Sequence, residues 1–159
     1  MRAMLVGCVA VCLAACSGQQ PDATTGNGVY PYVNTSELGA LQLFGRSAEA
    51  QQAFGGKEAS IIFSPSRTMA ISGSHKLIDG SNGLSCTLPD DEYARLAALP
   101  NPFPLVQGKL GIFSPGGEVE IENCEIVAID GAAWEKDFEA GKFPEVQRLI
   151  SPLGREMAE

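Results

Sequence analysis

Among 159 residues there are one histidine, one tryptophan and three tyrosines. So sparse a supply excludes a multi-histidine metal cluster and an aromatic cage, and no cofactor is expected. Lysine and arginine total 11 against 19 aspartates and glutamates, a formal charge of −8. A phosphate backbone calls for concentrated Lys and Arg, so nucleic acid is not an expected partner. Nor does any apolar run reach the roughly 20 residues of a membrane-spanning helix. What is present is a chain 45% hydrophobic and 19% charged, a composition that folds. Eighteen glycines and ten prolines favour short elements and many turns. Length allows one core and one domain.

Met1-Arg2 precedes an apolar run from Ala3 to Ala15, the pattern of a signal peptide over residues 1–15. It ends in Leu13-Ala14-Ala15-Cys16 and then turns polar at Ser17. This resembles a bacterial lipobox, whose Cys becomes a diacylated N-terminus after cleavage. The other reading is an ordinary secretory peptide with Cys16 a free thiol. The lipobox reading implies a lipid anchor at Cys16, and Ser17 in place of Asp implies the outer membrane, facing the periplasm. Cleavage before Cys16 leaves 144 residues and, with Arg2 gone, a formal charge of −9.

Cys8 and Cys12 depart with the signal, so Cys86 and Cys124 remain. In an oxidising compartment such a pair forms a disulfide more often than two thiols, although two buried thiols are the alternative.

Residues 16–33 read as the lipidated Cys and a tether, with Tyr30-Pro31-Tyr32 as its first touch on the domain. The spacing of Asn34 and Glu37 suits a helix start, followed by Leu38, Leu41, Phe44 and Ala48 to Phe54. From Lys57 the pattern becomes short apolar runs. A first strand is expected over 60–64, with Ile61 and Phe63 on one face. A second follows over 68–72, with Met69 and Ile71 inward. Asp79-Gly80-Ser81-Asn82-Gly83 is a hairpin turn, and Leu84, Cys86 and Leu88 alternate in a third strand. Pro89-Asp90-Asp91-Glu92 opens a helix with Tyr93, Leu96 and Ala97 on its apolar side. A fourth strand is expected over 105–113, with Val106, Leu110 and Ile112 inward. In the fifth, over 118–129, Val119 and Ile121 differ in parity from Cys124 and Ile126. Either a bulge near Glu122-Asn123 restores one face, or Cys124 points outward. Residues 131–159 read as a helical C-terminal tail, with a last short helix through Val146, Leu149 and Ile150.

Three strands, a helix and two strands is the order of the OB-fold. The expected fold is therefore mainly β (α+β). It is a five-stranded OB-fold-like barrel over residues 34–130 with an N-terminal helix, a helix between strands three and four, and the helical tail. Thr35-Ser36-Glu37-Leu38, Ala53-Phe54-Gly55-Gly56-Lys57, Gly83-Leu84-Ser85-Cys86 and the stretch from Val119 to Val127 resemble the tRNA_anti-like family of bacterial OB-fold lipoproteins. The chain departs from that family at Ser64-Pro65-Ser66. The family's name records a likeness to anticodon-binding domains and implies no tRNA binding. In an OB-fold strands three and five are neighbours, which would set Cys86 beside Cys124.

OB-folds take ligands across strands two and three. The candidate ligand residues are therefore Arg67, Thr68, Ser72, Ser85 and Thr87, none of them aromatic. His75 could serve as a base for Ser72 or Ser74 with Asp79 behind it, but no nucleophile-elbow motif accompanies it and a surface loop is the plainer reading. Glu118, Glu120 and Glu122 form either a solvated face or an acidic strip for a cation or basic partner. The 79–83 turn lacks the ligand spacing of a calcium loop. Trp134 and Phe138 share a helix face, and either pack on the domain or dock a partner. The expectation is a non-catalytic, lipid-anchored binding domain whose ligand is an envelope protein or a small molecule. The alternatives are an assembly accessory docking through its tail and, third, a hydrolase using His75.

Overall fold

A computed structural model describes residues 29–43 and 45–149. The signal peptide, Cys16, most of the tether and the last ten residues lie outside the described residues. The chain runs β1 (Tyr32–Val33), α1 (Thr35–Leu43), α2 (Ser47–Phe54), β2 (Glu58–Ile62), β3 (Arg67–Ile71), β4 (Ser74–Asp79) and β5 (Leu84–Pro89). It continues with α3 (Asp90–Ala97), β6 (Leu105–Leu110), β7 (Val119–Ala128), α4 (Gly131–Glu139) and β8 (Arg148–Leu149). It is a mixed α+β fold, mostly β, on one eight-stranded sheet ordered β3-β4-β5-β7-β6-β2-β1-β8.

The expected count of five strands is therefore corrected to eight. The strand missed inside the domain is β4, which pairs antiparallel with both β3 and β5. The two-residue strands at the ends are held by parallel pairing of β1 with β2 and with β8. Tyr32 and Val33 thus belong to the sheet rather than to a tether, and are 2% and 0% exposed. The end of the tail is strand, not helix, as far as it is described.

The opening helix is also two helices. Asn34 Oδ1 accepts the Ser36 amide at 2.8 Å and starts α1. Gly45, at φ +68°, ends that run. Leu38 and Leu41 of α1 and Ala50 and Phe54 of α2 are fully buried against the sheet. They join Ile61, Phe63, Leu77, Leu84, Leu88, Leu96, Val106 and Leu110 in the main core. Ile112, expected inward, is 78% exposed because β6 ends at Leu110.

A bulge resolves the parity conflict in β7. Gln107 pairs with Glu125 and Lys109 with Glu122, so β7 spends one residue more than β6 over that stretch. Asn123 takes φ +52° there, and Cys124 turns to the core at 8% exposure beside Val119 and Ile121. Gly108 faces the bulge, where a Cβ would stand 2.6 Å from Glu122 O and from Ile121 Cγ2.

A smaller cluster forms under α4. Asp130 caps the helix, its Oδ1 accepting the Ala133 amide at 3.0 Å. Trp134 packs with Tyr32, Leu105 and Val146.

Candidate functional site

Register assigns the faces. Thr68 pairs with Leu77 and Leu77 with Cys86, so that row faces the core. Arg67 aligns with Ile78 and Ser85, and Met69 with Lys76 and Thr87, so those rows face away. The five nominated residues are thus not one patch. Arg67 and Thr87 share the outer face, Thr68 lies on the core side, and Ser72 sits exposed in the turn between β3 and β4. Ser85 faces outward by register but is 0% exposed, which corrects its place among accessible residues.

All five residues of β3 are exposed. Met69 and Ile71, expected inward, are 51% and 48% exposed. The reason is position: β3 is the first strand of the sheet, and neither of its faces is fully covered. Alternation identifies an inward face only where something packs on it.

Beneath the core side of β3 a groove of about 250 Å³ opens toward α3. Leu77 and Leu96 are buried and floor it, Thr68, Tyr93 and Leu99 wall it, and Arg67 borders it. Two of the nominated residues therefore meet here, at a place that sequence reasoning did not assign. Tyr93 and Leu96 were legible as the apolar side of α3, but nothing local showed that β3 stands across from them.

His75 lies in β4 rather than in a surface loop. Its ring stacks on Tyr93 at 3.9 Å between centroids. Its Nδ1 is 3.0 Å from Asp90 Oδ1, at ion-pair distance without hydrogen-bond alignment. Asp79 is committed elsewhere. Its Oδ1 accepts from the Ser81 amide at 3.1 Å, the Ser81 hydroxyl at 2.6 Å and the Asn82 amide at 3.2 Å, and Oδ2 from Asn82 Nδ2 at 2.8 Å. The carboxylate thus fixes the β4–β5 turn and does not orient His75.

Two of the three acids at the start of β7, Glu118 and Glu122, meet lysines from β4 and β6. Lys76 Nζ lies 2.5 Å from Glu118 Oε1, and Lys109 Nζ 3.4 Å from Glu122 Oε2. The hydrogen bond from Lys76 holds the Glu118 carboxyl below its ordinary range, against the opposing effect of partial burial. No group of three or more His, Cys, Asp or Glu able to hold a metal converges among the described residues.

The aromatic pair of α4 packs on the domain. Trp134 is 4% exposed and stacks with Phe138 at 5.3 Å and Phe143 at 5.5 Å, while Tyr32 meets both Trp134 and Phe138. Trp134 is thus unavailable as an exposed anchor, and Phe138 is half-buried. Burial, with the Glu135 carboxylate accepting its hydroxyl proton, raises the Tyr32 phenol well above its usual range.

Cys86 and Cys124 are paired as a disulfide with their Cα atoms 5.7 Å apart. Their strands, β5 and β7, are parallel neighbours. Compared with known protein families, with curated proteins and with solved structures, the chain matches none. No described helix is long and apolar enough to cross a membrane.

Proposed function

We propose that the protein is a non-catalytic binding module of the cell envelope, anchored by lipid on Cys16 at the outer membrane and built on an OB-fold-like barrel. The observation that carries the binding role is the open groove between β3 and α3, lying beside a strand exposed along its whole length. The barrel reading is supported by strand order. The run β3-β4-β5-β7-β6-β2 begins and ends on two strands separated by residues 63–66 alone. Treated as halves of one bent strand, β2 and β3 give the OB order, with α3 between its third and fourth strands. The parallel β5–β7 pair is the third-to-fifth neighbour relation of that order. The resemblance to tRNA_anti-like lipoproteins points the same way and rests on the residues quoted for it.

The ligand on this reading is another envelope protein, since an open groove on an exposed edge suits a chain better than an enclosed metabolite. Crosslinking in intact membranes, followed by identification of crosslinked partners and by native mass spectrometry of the purified protein, tests the binding role. A partner linked reproducibly to the domain supports it; absence of any partner together with a co-purifying metabolite replaces it with small-molecule binding. The mass of the mature N-terminus tests the anchor. An unmodified Cys16 removes it.

A further inference from the structure

The groove and the neighbouring strand edge have complementary uses. β3 pairs with β4 on one side, and its other edge has no strand partner among the described residues. Unpaired strand edges invite another chain, and proteins usually guard them with lysine, proline or a covering element. The sequence Arg67-Thr68-Met69-Ala70-Ile71 contains neither lysine nor proline, and it exposes two large apolar side chains. On the core side of the same strand, the groove offers an apolar floor of Leu77 and Leu96 and an exposed Leu99.

Resting on the binding role above, we propose that β3 accepts an extended segment of a partner protein as an added strand, with an apolar side chain in the groove and a carboxylate next to it in sequence against Arg67. The pleat dictates this pattern. Side chains of an added strand alternate faces in step with β3. The one opposite Thr68 enters the groove. The one opposite Arg67 lies on the outer face, where an opposite charge is favoured across strands. Among the described residues Arg67 is the one charged residue bordering the groove, and although the Glu118 carboxylate already lies within its electrostatic reach on the outer face, it is the positive group there that favours acid over base. A single carboxylate suffices, and the chain's acidic balance disfavours a uniformly acidic segment. Main-chain hydrogen bonds to the edge give affinity; the groove and Arg67 give selectivity.

The test uses the full chain in detergent and fluorescently labelled seven-residue peptides, capped at both ends. Each carries a central Leu, Val or Phe flanked by Asp, by Gln or by Lys in a threonine background. Fluorescence anisotropy reads binding. The expected result is saturable binding by Asp-flanked peptides at least tenfold tighter than by Lys-flanked ones. Ala70→Pro should abolish binding by blocking the edge. Arg67→Glu, at an exposed position compatible with folding, should reverse the charge preference. Absence of binding by every peptide overturns the proposal, as does equal binding of Asp- and Lys-flanked peptides or indifference to Arg67→Glu. A dimer lost on Arg67→Glu overturns it in favour of a second copy on this edge. Membrane crosslinks confined to surfaces away from β3 overturn it while leaving the general binding role intact.

Discussion

Cys86 and Cys124 stand 5.7 Å apart at Cα although register pairs Cys86 with Ile121. Cys124 lies three residues further along β7, and extended backbone would carry it about 10 Å away. The bulge at Asn123 turns the Cys124 side chain to the core side, where Cys86 lies. Covalent link and backbone irregularity are therefore one structural unit.

Removing the link should be costly. The pair closes a loop with a sequence separation of 38, for which loop entropy gives about 4 kcal/mol, and native strain would reduce that. Thiol titration of the denatured, unreduced protein should find neither Cys86 nor Cys124. The double variant Cys86→Ser/Cys124→Ser should unfold at markedly lower urea with its fold retained in dilute buffer. Two free thiols in protein taken from the envelope would refute the oxidised pair.

Gly108 faces the same bulge. Gly108→Ala places a methyl 2.6 Å from Glu122 O and Ile121 Cγ2. Strands joined by a sheet on both sides have little room to shift, so a loss of about 1–3 kcal/mol is expected from urea denaturation. Gly116→Ala is an instructive contrast: its methyl meets nothing within 4 Å, and its cost comes from φ +65° alone.

The β4–β5 turn depends on Asp79. Asp79→Ala leaves the Ser81 and Asn82 amides without their acceptor and the Asn82 side chain with only the longer bond to the Ser81 hydroxyl. Hydrogen bonds to a charged group contribute about 1.5–3 kcal/mol, and a loss in that range is expected in equilibrium unfolding. Loss of hydrogen-exchange protection should start at residues 80–83. An unchanged midpoint would show that the turn holds itself.

Glu118 makes part of the stability pH-dependent. Lys76 holds its folded-state pKa below the ordinary 4.5. A depressed carboxylate contributes stability that is present above its unfolded pKa and disappears as pH falls through the folded value. The stability difference between the protein and Lys76→Gln should therefore be constant near neutrality and shrink below about pH 4.5. Carboxyl NMR titration should show the Glu118 pKa rising in Lys76→Gln. With Glu118 partly exposed, added salt should weaken the effect.

Local chemistry made much of the fold legible. Asp79 to Gly83 carries its own turn signal, and Pro89 with three acids starts α3 wherever the segment sits. The parity break between Ile121 and Cys124 left a bulge or an outward Cys124 open, and the pairing of β7 with β6 decided for the bulge. β4 was hidden. Its His75, Leu77 and Asp79 face one way and Ser74, Lys76 and Ile78 the other, so neither row is uniformly apolar. The two-residue strands β1 and β8 are too short to show any period. The groove is partly visible through Tyr93 and Leu96; Thr68, outward if Met69 and Ile71 are inward, instead lies on its core side.

The sequence by itself determined the scarcity of histidine and basic charge, the turn chemistry, the parity break in the fifth strand and a lone cysteine pair beyond Cys16. Each is written in neighbouring residues or in simple counts. The tertiary structure decided that β3 is an edge, that Met69 and Ile71 are exposed, and that Trp134 is buried. These depend on which element lies across from each residue, and that is set by strand pairing between distant segments. The same scarcity of aromatic groups sharpens the result: the lone tryptophan is spent on packing α4, and β3 is left exposing Met69 and Ile71 beside Arg67.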